Sequence, residues 1–200
     1  MTSQSSLPPP GVFPLELPEA EGVAAVRWVA RSCRFSFRGD AEAARAAGLA
    51  FGAPLPAAPM QSARQLLSAA LWLGPDEWLL LGPLGEAAHL ASAITRALAS
   101  TPHALVDISA RNAGLVVTGP LVEAVLGAGC PLDLDRNAFP VGACTRTLFA
   151  KAEVVLWRTA VDAFRLEVAR SYAPYVVGLL AEAIRNERAM LTRASPERSR

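Results

Sequence analysis

Few residues in this chain are equipped for chemistry, and they are scattered. Cys130 and His103 make the one nucleophile–base pairing worth weighing. Nucleophilic catalysis needs a base within hydrogen-bond reach of the nucleophile and a third group to orient that base. His103 follows Pro102 in a loop and nothing in the spacing sets it beside Cys130, which reads instead as a buried thiol at a helix end. Asp133 and Asp135 alternate with Leu132 and Leu134, so in extended chain both carboxylates share a face. Such a pair does acid–base work only when one pKa is raised. With Arg136 adjacent, a solvated face or an arginine-paired one is the plainer reading. Asp107, Ser109 and Arg111 alternate in the same way around Ile108, which suits a local pair or an ion pair across a subunit contact. Gly82-Pro83-Leu84-Gly85 stands between a strand and a helix, as a phosphate cradle would. The chain nevertheless has neither Gly-x-Gly-x-x-Gly nor Gly-Lys-Ser/Thr.

Metal chemistry is expected no more than nucleophilic chemistry. Cys33, Cys130 and Cys144 are odd in number and far apart, no Cys-x-x-Cys exists, and only His89 and His103 could assist. No catalytic, cofactor-binding or metal-binding residue is therefore expected in this chain. Reduced, buried thiols fit a cytoplasmic protein. The net charge of +1 argues against nucleic acid as a partner. Met1 to Gly11 has no basic region leading into an apolar core, so no signal peptide is expected. No apolar run approaches the roughly 20 residues that span a bilayer, and Gly74-Pro75-Asp76-Glu77 breaks the nearest one, so no membrane is expected either. The hydrophobic share of 52% looks high, but about a fifth of the chain is alanine, which adds little apolar area.

The elements that must hold these residues are legible in outline. Residues 1–22 form a Pro-rich N-terminal arm, read as a free end or as a strap around a partner. Val23 to Arg38 reads as extended chain, with Cys33, Phe35 and Phe37 alternating with Arg34, Ser36 and Arg38 as in a half-buried strand. Asp40 caps a helix to about Ala47, which Gly48 closes. A Pro-rich loop covers Gly52 to Pro59. Gln65 to Leu73 and Trp78 to Leu81 make a hairpin about the Gly74–Glu77 turn. A helix from about Glu86 to Ala99 lines up Leu90, Ile94 and Leu98 on one face. Strand material follows at Ala104 to Thr118, then a short helix from Gly119-Pro120 to Leu126, with Gly127 and Gly129 suited to a left-handed helix end. Leu126 to Thr147 is a connector. Arg146 to Arg158 and Ala163 to Val168 read as strands. Ser171 caps a last helix to about Asn186, with Pro174 in its first turn. Residues 187–200 read as a flexible tail. Trp72, Trp78 and Trp157 are expected in the core, and Trp28 in core or interface.

The two halves repeat one plan: strand, short Ala-rich helix, Pro-containing connector, strand pair, amphipathic helix. Phe35–Arg38 with Gly39 matches Val116–Thr118 with Gly119, an offset of 119 − 39 = 80. The repeats run over about 23–100 and 104–186, within one domain at 23–186. This order, twice, predicts an α+β fold of duplicated ferredoxin-like units.

Taken together, Leu73-Gly74-Pro75-Asp76-Glu77-Trp78-Leu79-Leu80, Val106-Asp107-Ile108-Ser109-Ala110-Arg111, Gly129-Cys130-Pro131-Leu132-Asp133-Leu134, Phe139-Pro140-Val141-Gly142, Arg146-Thr147 and Arg170-Ser171-Tyr172 resemble the gamma subunit of heterotetrameric sarcosine oxidase. The resemblance covers about Val23 to Ala183. It implies a fold similar to the folate-binding domain of glycine-cleavage aminomethyltransferases. It also implies a non-catalytic structural role beside alpha, beta and delta subunits in oxidative demethylation of sarcosine or a related N-methyl amine. FAD, FMN, NAD and tetrahydrofolate are then implied for the partner subunits, with none bound by this chain. The other reading is a stand-alone folate-binding or folate-dependent aminomethyltransferase-like protein, for which Asp107, Asp133 and Asp135 would be the pterin-facing carboxylates.

Overall fold

A computed structural model describes residues 17–30 and 32–194. Its elements are β1 (Glu19–Ala20), β2 (Ala24–Trp28), β3 (Ser32–Gly39), α1 (Ala41–Phe51), β4 (Ser62–Gln65), β5 (Ser68–Gly74), β6 (Glu77–Pro83), α2 (Ala87–Ala97), β7 (His103–Asp107), β8 (Asn112–Thr118), α3 (Val122–Gly127), β9 (Cys144–Phe149), β10 (Ala152–Ala160), β11 (Ala163–Ala169) and α4 (Ala173–Ala194). Asp40 caps α1 as its position requires, with Oδ1 accepting from the Ala43 N–H at 2.8 Å. The helix then runs past Gly48 to Phe51. Gly52, at φ 81°, is the left-handed residue that ends it, so the stop lies four residues beyond the expected one.

The strands form two antiparallel sheets, β4-β5-β6-β3-β7 and β1-β2-β8-β11-β10-β9. The first unit, β3-α1-β5-β6-α2-β7, is a complete βαββαβ module with its fourth strand beside its first. In the second unit, β8-α3-β10-β11-α4, the place beside β8 is taken by β2, which comes from before the first unit. The duplicated ferredoxin-like plan thus holds, with one strand supplied from the far end of the sequence. Residues 24–28 serve the second sheet, and residues 103–107 the first. Val23 to Arg38 is accordingly two strands in two sheets. Leu17 packs on the second core and Glu19–Ala20 pair with β2. The rest of the Pro-rich arm, residues 1–16, lies outside the described residues, as do 195–200.

Each sheet is apolar on both faces in its middle. On one face, Cys33, Phe35, Phe37, Trp78 and Leu80 meet α1 and α2, while Leu115, Val117, Leu156, Phe164 and Leu166 meet α3 and α4. On the other faces the sheets pack on each other through Ala69, Leu71, Leu79 and Leu81 against Cys144, Val155 and Trp157. The alternation in β3 predicts a half-buried strand. Its polar face is instead covered at Arg34, which is 4% exposed and pairs with Glu167 of the second sheet, while Arg38 stays exposed. Trp28 belongs to the second core.

Two hairpins escaped the sequence reading. Residues 62–74 fold back at Leu66-Leu67, and residues 144–160 at Ala150-Lys151. Leu66 and Ala150 take φ of 52° and 51°. Neither turn holds the Gly or Asn that marks such a position, so each looked like one continuous strand. The α4 helix continues to Ala194, beyond the expected end near Asn186. Residues 187–194 are mostly good helix formers, and no breaker comes before Pro196. Ser171 lies inside a 3-10 turn, Arg170–Tyr172, that leads into α4. Gly127 and Gly129 are not left-handed. Gly129 is needed for room, since a Cβ there would come within 2.9 Å of Phe149.

Candidate functional site

The chemistry-bearing residues resolve into places with different roles. Cys130 is buried in the second unit's core, whereas His103 stacks on Phe37 in the first unit, with Nδ1 2.9 Å from the Thr101 carbonyl. The fold therefore does not assemble this pairing. Cys144 is buried between the sheets and its thiol donates to the Gln61 carbonyl at 3.1 Å; burial pushes its pKa up to about 12. Burial also raises the Cys33 thiol. Neither thiol offers a thiolate at neutral pH. Gly82 is an interior strand residue hemmed by Leu90 and Cys33 rather than part of a phosphate cradle.

Asp133 and Asp135 lie in a loop, not in extended chain. Each carboxylate accepts from a backbone N–H two residues on, Asp135 at 2.9 Å and Asn137 at 2.8 Å, so the pair builds consecutive Asx turns. Arg136 approaches Glu123 at 3.8 Å. The loop's anchor is Arg158, fully buried and missed in the sequence. It donates to the carbonyls of Leu134 at 2.9 Å, Phe139 at 3.0 Å and Val161 at 2.6 Å, pairs with Glu123, and lies over the Phe164 ring.

The surface between the two sheets gathers most of the charge. Arg34 donates from Nε to Glu167 at 2.5 Å, and Arg165 reaches the same carboxylate at 2.5 Å. Gly114 on β8 makes space for this trio: a Cβ there would stand 2.7 Å from Glu167 and 2.8 Å from Arg34. Burial works to raise the Glu167 pKa, but the charges of Arg165 and Arg34 outweigh it and the carboxyl is held low. Farther along, Arg146 on β9 bonds Glu77 on β6 at 2.5 Å, and Arg38 reaches Glu77 at 2.7 Å. The Arg146 hydrogen bonds are the main cause of the lowered Glu77 pKa.

Where the sheets part, a cleft of about 320 Å³ opens beside these pairs. Its apolar floor includes Leu79 and Val155, and its polar lining includes Ser36, Arg111, Asn112, Arg146 and Tyr172. The chain reaches it through the crossover after β7. The Asp107 carboxylate accepts from the Ser109 N–H at 2.8 Å, and the Ser109 hydroxyl accepts from the Arg34 N–H at 2.9 Å. Asp107 and Arg111 therefore form no ion pair with each other; one shapes the crossover and the other faces the cleft. A larger groove of about 670 Å³ runs along α1 and is mainly apolar, with Ala44, Leu49, Leu55 and Trp78 on its walls. Leu49, Leu66 and Leu67 are exposed at 83%, 88% and 76%. Among the described residues, no cluster of three or more His, Cys, Asp or Glu could hold a metal, and no helix is long and apolar enough to cross a membrane.

Residues 38–186 match the sarcosine oxidase gamma subunit family. Sarcosine oxidase subunit gamma of Corynebacterium sp. (strain P-1) is 37% identical over 117 residues, which is 58% of this chain and 57% of that protein. The Arthrobacter sp. subunit is 39% identical over 58% of this chain and 56% of its own length. The matched segments thus span little more than half of these relatives. Among solved structures, a chain of heterotetrameric sarcosine oxidase from Corynebacterium sp. U-96, in complex with pyrrole 2-carboxylate, superposes with a TM-score of 0.78 at 31% identity, covering 85% of this chain and 88% of that one. Aminomethyltransferase T of the glycine cleavage system from Bartonella henselae superposes at a TM-score of 0.62 and 15% identity over 80% of this chain and 45% of that one, which is a likeness of fold.

Proposed function

Because the chain belongs to the sarcosine oxidase gamma subunit family, we propose that it is the gamma subunit of a heterotetrameric sarcosine oxidase-type flavoenzyme, working beside alpha, beta and delta subunits in the cytoplasm. The observation that carries this reading is the agreement over nearly the whole described chain with a chain of such a complex. Its own role is structural. The candidate catalytic groups are already committed: Asp133, Asp135 and Asp107 to their own backbone, Glu77 and Glu167 to arginines, Cys144 to burial. FAD, FMN, NAD and tetrahydrofolate belong to the partner subunits, which oxidise the N-methyl amine and pass on the one-carbon unit. The mainly apolar groove along α1, with exposed Leu49 on its wall, supports a subunit role, since a lone soluble chain rarely shows contiguous apolar surface.

The test is to tag this chain in its native cell and purify it under mild conditions. A stoichiometric complex of four chains with flavin absorbance and sarcosine-dependent turnover is the expected result. Recovery as a monodisperse, flavin-free monomer would overturn the reading.

A further inference from the structure

The duplication supplies an internal control for one surface feature. The β4–β5 hairpin turns at Leu66-Leu67, and its counterpart in the second unit, β9–β10, turns at Ala150-Lys151. Both turns have two residues, and in both the first has positive φ, 52° at Leu66 and 51° at Ala150. A side chain is strained at such a φ, so the turn itself gives no reason for leucine. The second unit meets the same geometry with a small residue and an exposed lysine. The first unit sets two leucines there, 88% and 76% exposed, and the fold of this chain gains little from them.

Beside that tip lies a pocket of about 240 Å³, walled by Arg64 and Leu67 of the hairpin and by Leu81, Val116, Trp157 and Arg165. No Asp or Glu lines it. Arg64 makes no hydrogen bond or ion pair with any described residue. Arg165 shares Glu167 with Arg34, and all three side chains are 14% exposed or less. One carboxylate thus serves two guanidinium groups, and one nearly buried positive charge is left over. Such a charge calls for a counter-charge, and a guanidinium holds a carboxylate by two parallel hydrogen bonds. We propose that the β4–β5 tip and this pocket are a docking surface for a neighbouring subunit of the complex. That subunit presents an Asp or Glu side chain between Arg64 and Arg165, and an apolar depression for Leu66 and Leu67. The proposal rests on the assembly reading above. A second copy of this chain does not fit, because a two-fold contact would set the patch against itself and arginine against arginine.

The test is to tag the full chain in its native cell, as wild type and as variants, and to follow dissociation of the purified complex on dilution. Leu66→Ala with Leu67→Lys copies the tip of the second unit. It should raise the concentration at which this chain dissociates by about tenfold or more. The thermal midpoint of the full chain should not fall, because both leucines are exposed. Arg64→Glu should weaken the complex as much, Arg64→Lys should retain most of the affinity, and Lys151→Ala at the control tip should change nothing. Dissociation within about twofold of wild type for the leucine pair or for Arg64→Glu would overturn the proposal and leave the assembly reading intact. A wild-type chain recovered alone would overturn both. Self-association, or co-sedimentation with phosphatidylglycerol vesicles, that the leucine-pair variant loses would assign the tip to a second copy or to lipid, and would overturn the proposal as well.

Discussion

The connector after α1, residues 52–61, and the connector after α3, residues 128–143, occupy equivalent places in the two units and are held by different means. The first carries Pro54, Pro56 and Pro59; the Trp78 indole N–H donates to its Pro56 carbonyl at 2.8 Å, and at its far end the backbone N–H groups of Cys144 and Trp72 donate to the carbonyls of Met60 and Gln61, each at 3.0 Å. Its three prolines narrow what the unfolded chain can explore, and no buried charge gathers it. The second is longer, and it is gathered around the buried guanidinium of Arg158, which serves three carbonyls and Glu123. A single cation can close a long loop because it bonds several distant carbonyls at once, but only if all of them stay in place. The difference teaches that one fold plan can fix a loop by restricting the unfolded state or by a charged hub in the folded one.

Removing the hub is the strongest way to break this comparison. Arg158→Met should cost about 3–5 kcal/mol, since it strips buried carbonyls of their donor, and denaturant unfolding would read it. Arg158→Lys should recover little, because a point-like ammonium cannot span Leu134, Phe139 and Val161 together. A loss below about 1 kcal/mol for Arg158→Met would show that the second connector is held by its apolar contacts instead.

Acid separates the hub from the inter-sheet pairs. Glu77 has a lowered folded pKa, so its stabilisation is fully present above the unfolded value of about 4.3 and is lost as pH falls through the folded one. The carbonyls around Arg158 do not titrate. Stability should therefore decline below about pH 4.5, with hydrogen exchange rising first around Glu77 and Arg146 and later at Phe139. In Glu77→Gln the decline should be shallower and neutral-pH stability lower.

The proline-built connector should respond less. Trp78→Phe keeps most of the packing and deletes one hydrogen bond, so about 1 kcal/mol is expected from thermal unfolding. A cost matching that of Arg158→Met would erase the contrast. Smallest of all, Asp133→Asn with Asp135→Asn should change stability by no more than about 0.5 kcal/mol, because asparagine also forms Asx turns. Turnover of the assembled complex should be unchanged in that variant, and a hundredfold fall with assembly intact would give those carboxylates a role in the chemistry.

Much of this molecule was legible in its sequence because the signals were local. Asp40 before an alanine run, Leu90, Ile94 and Leu98 at spacings of four, and Gly74-Pro75-Asp76-Glu77 between apolar stretches each depend on a few neighbours. The Leu66-Leu67 and Ala150-Lys151 turns were hidden because leucine and alanine at positive φ leave no mark in composition. The extended conformation expected around Asp133 and Asp135 is not what forms. Asp133 and Asp135 looked like a pair on a strand, yet their short side chains bond their own backbone two residues on.

The sequence by itself determined the α+β class, the internal duplication and the family, since these rest on periodicity, order and motif. Only the tertiary structure decided that β2 completes the second unit's sheet, and that Arg34 on the polar face of β3 is covered. It alone brought Arg34 to Glu167, 133 residues away, and Arg158 to the connector. Strand exchange and buried ion pairs depend on which sheet faces which, and no local pattern encodes that. The same holds for the cleft: Arg111 and Asn112 adjoin in the chain, but the walls around them come from both sheets.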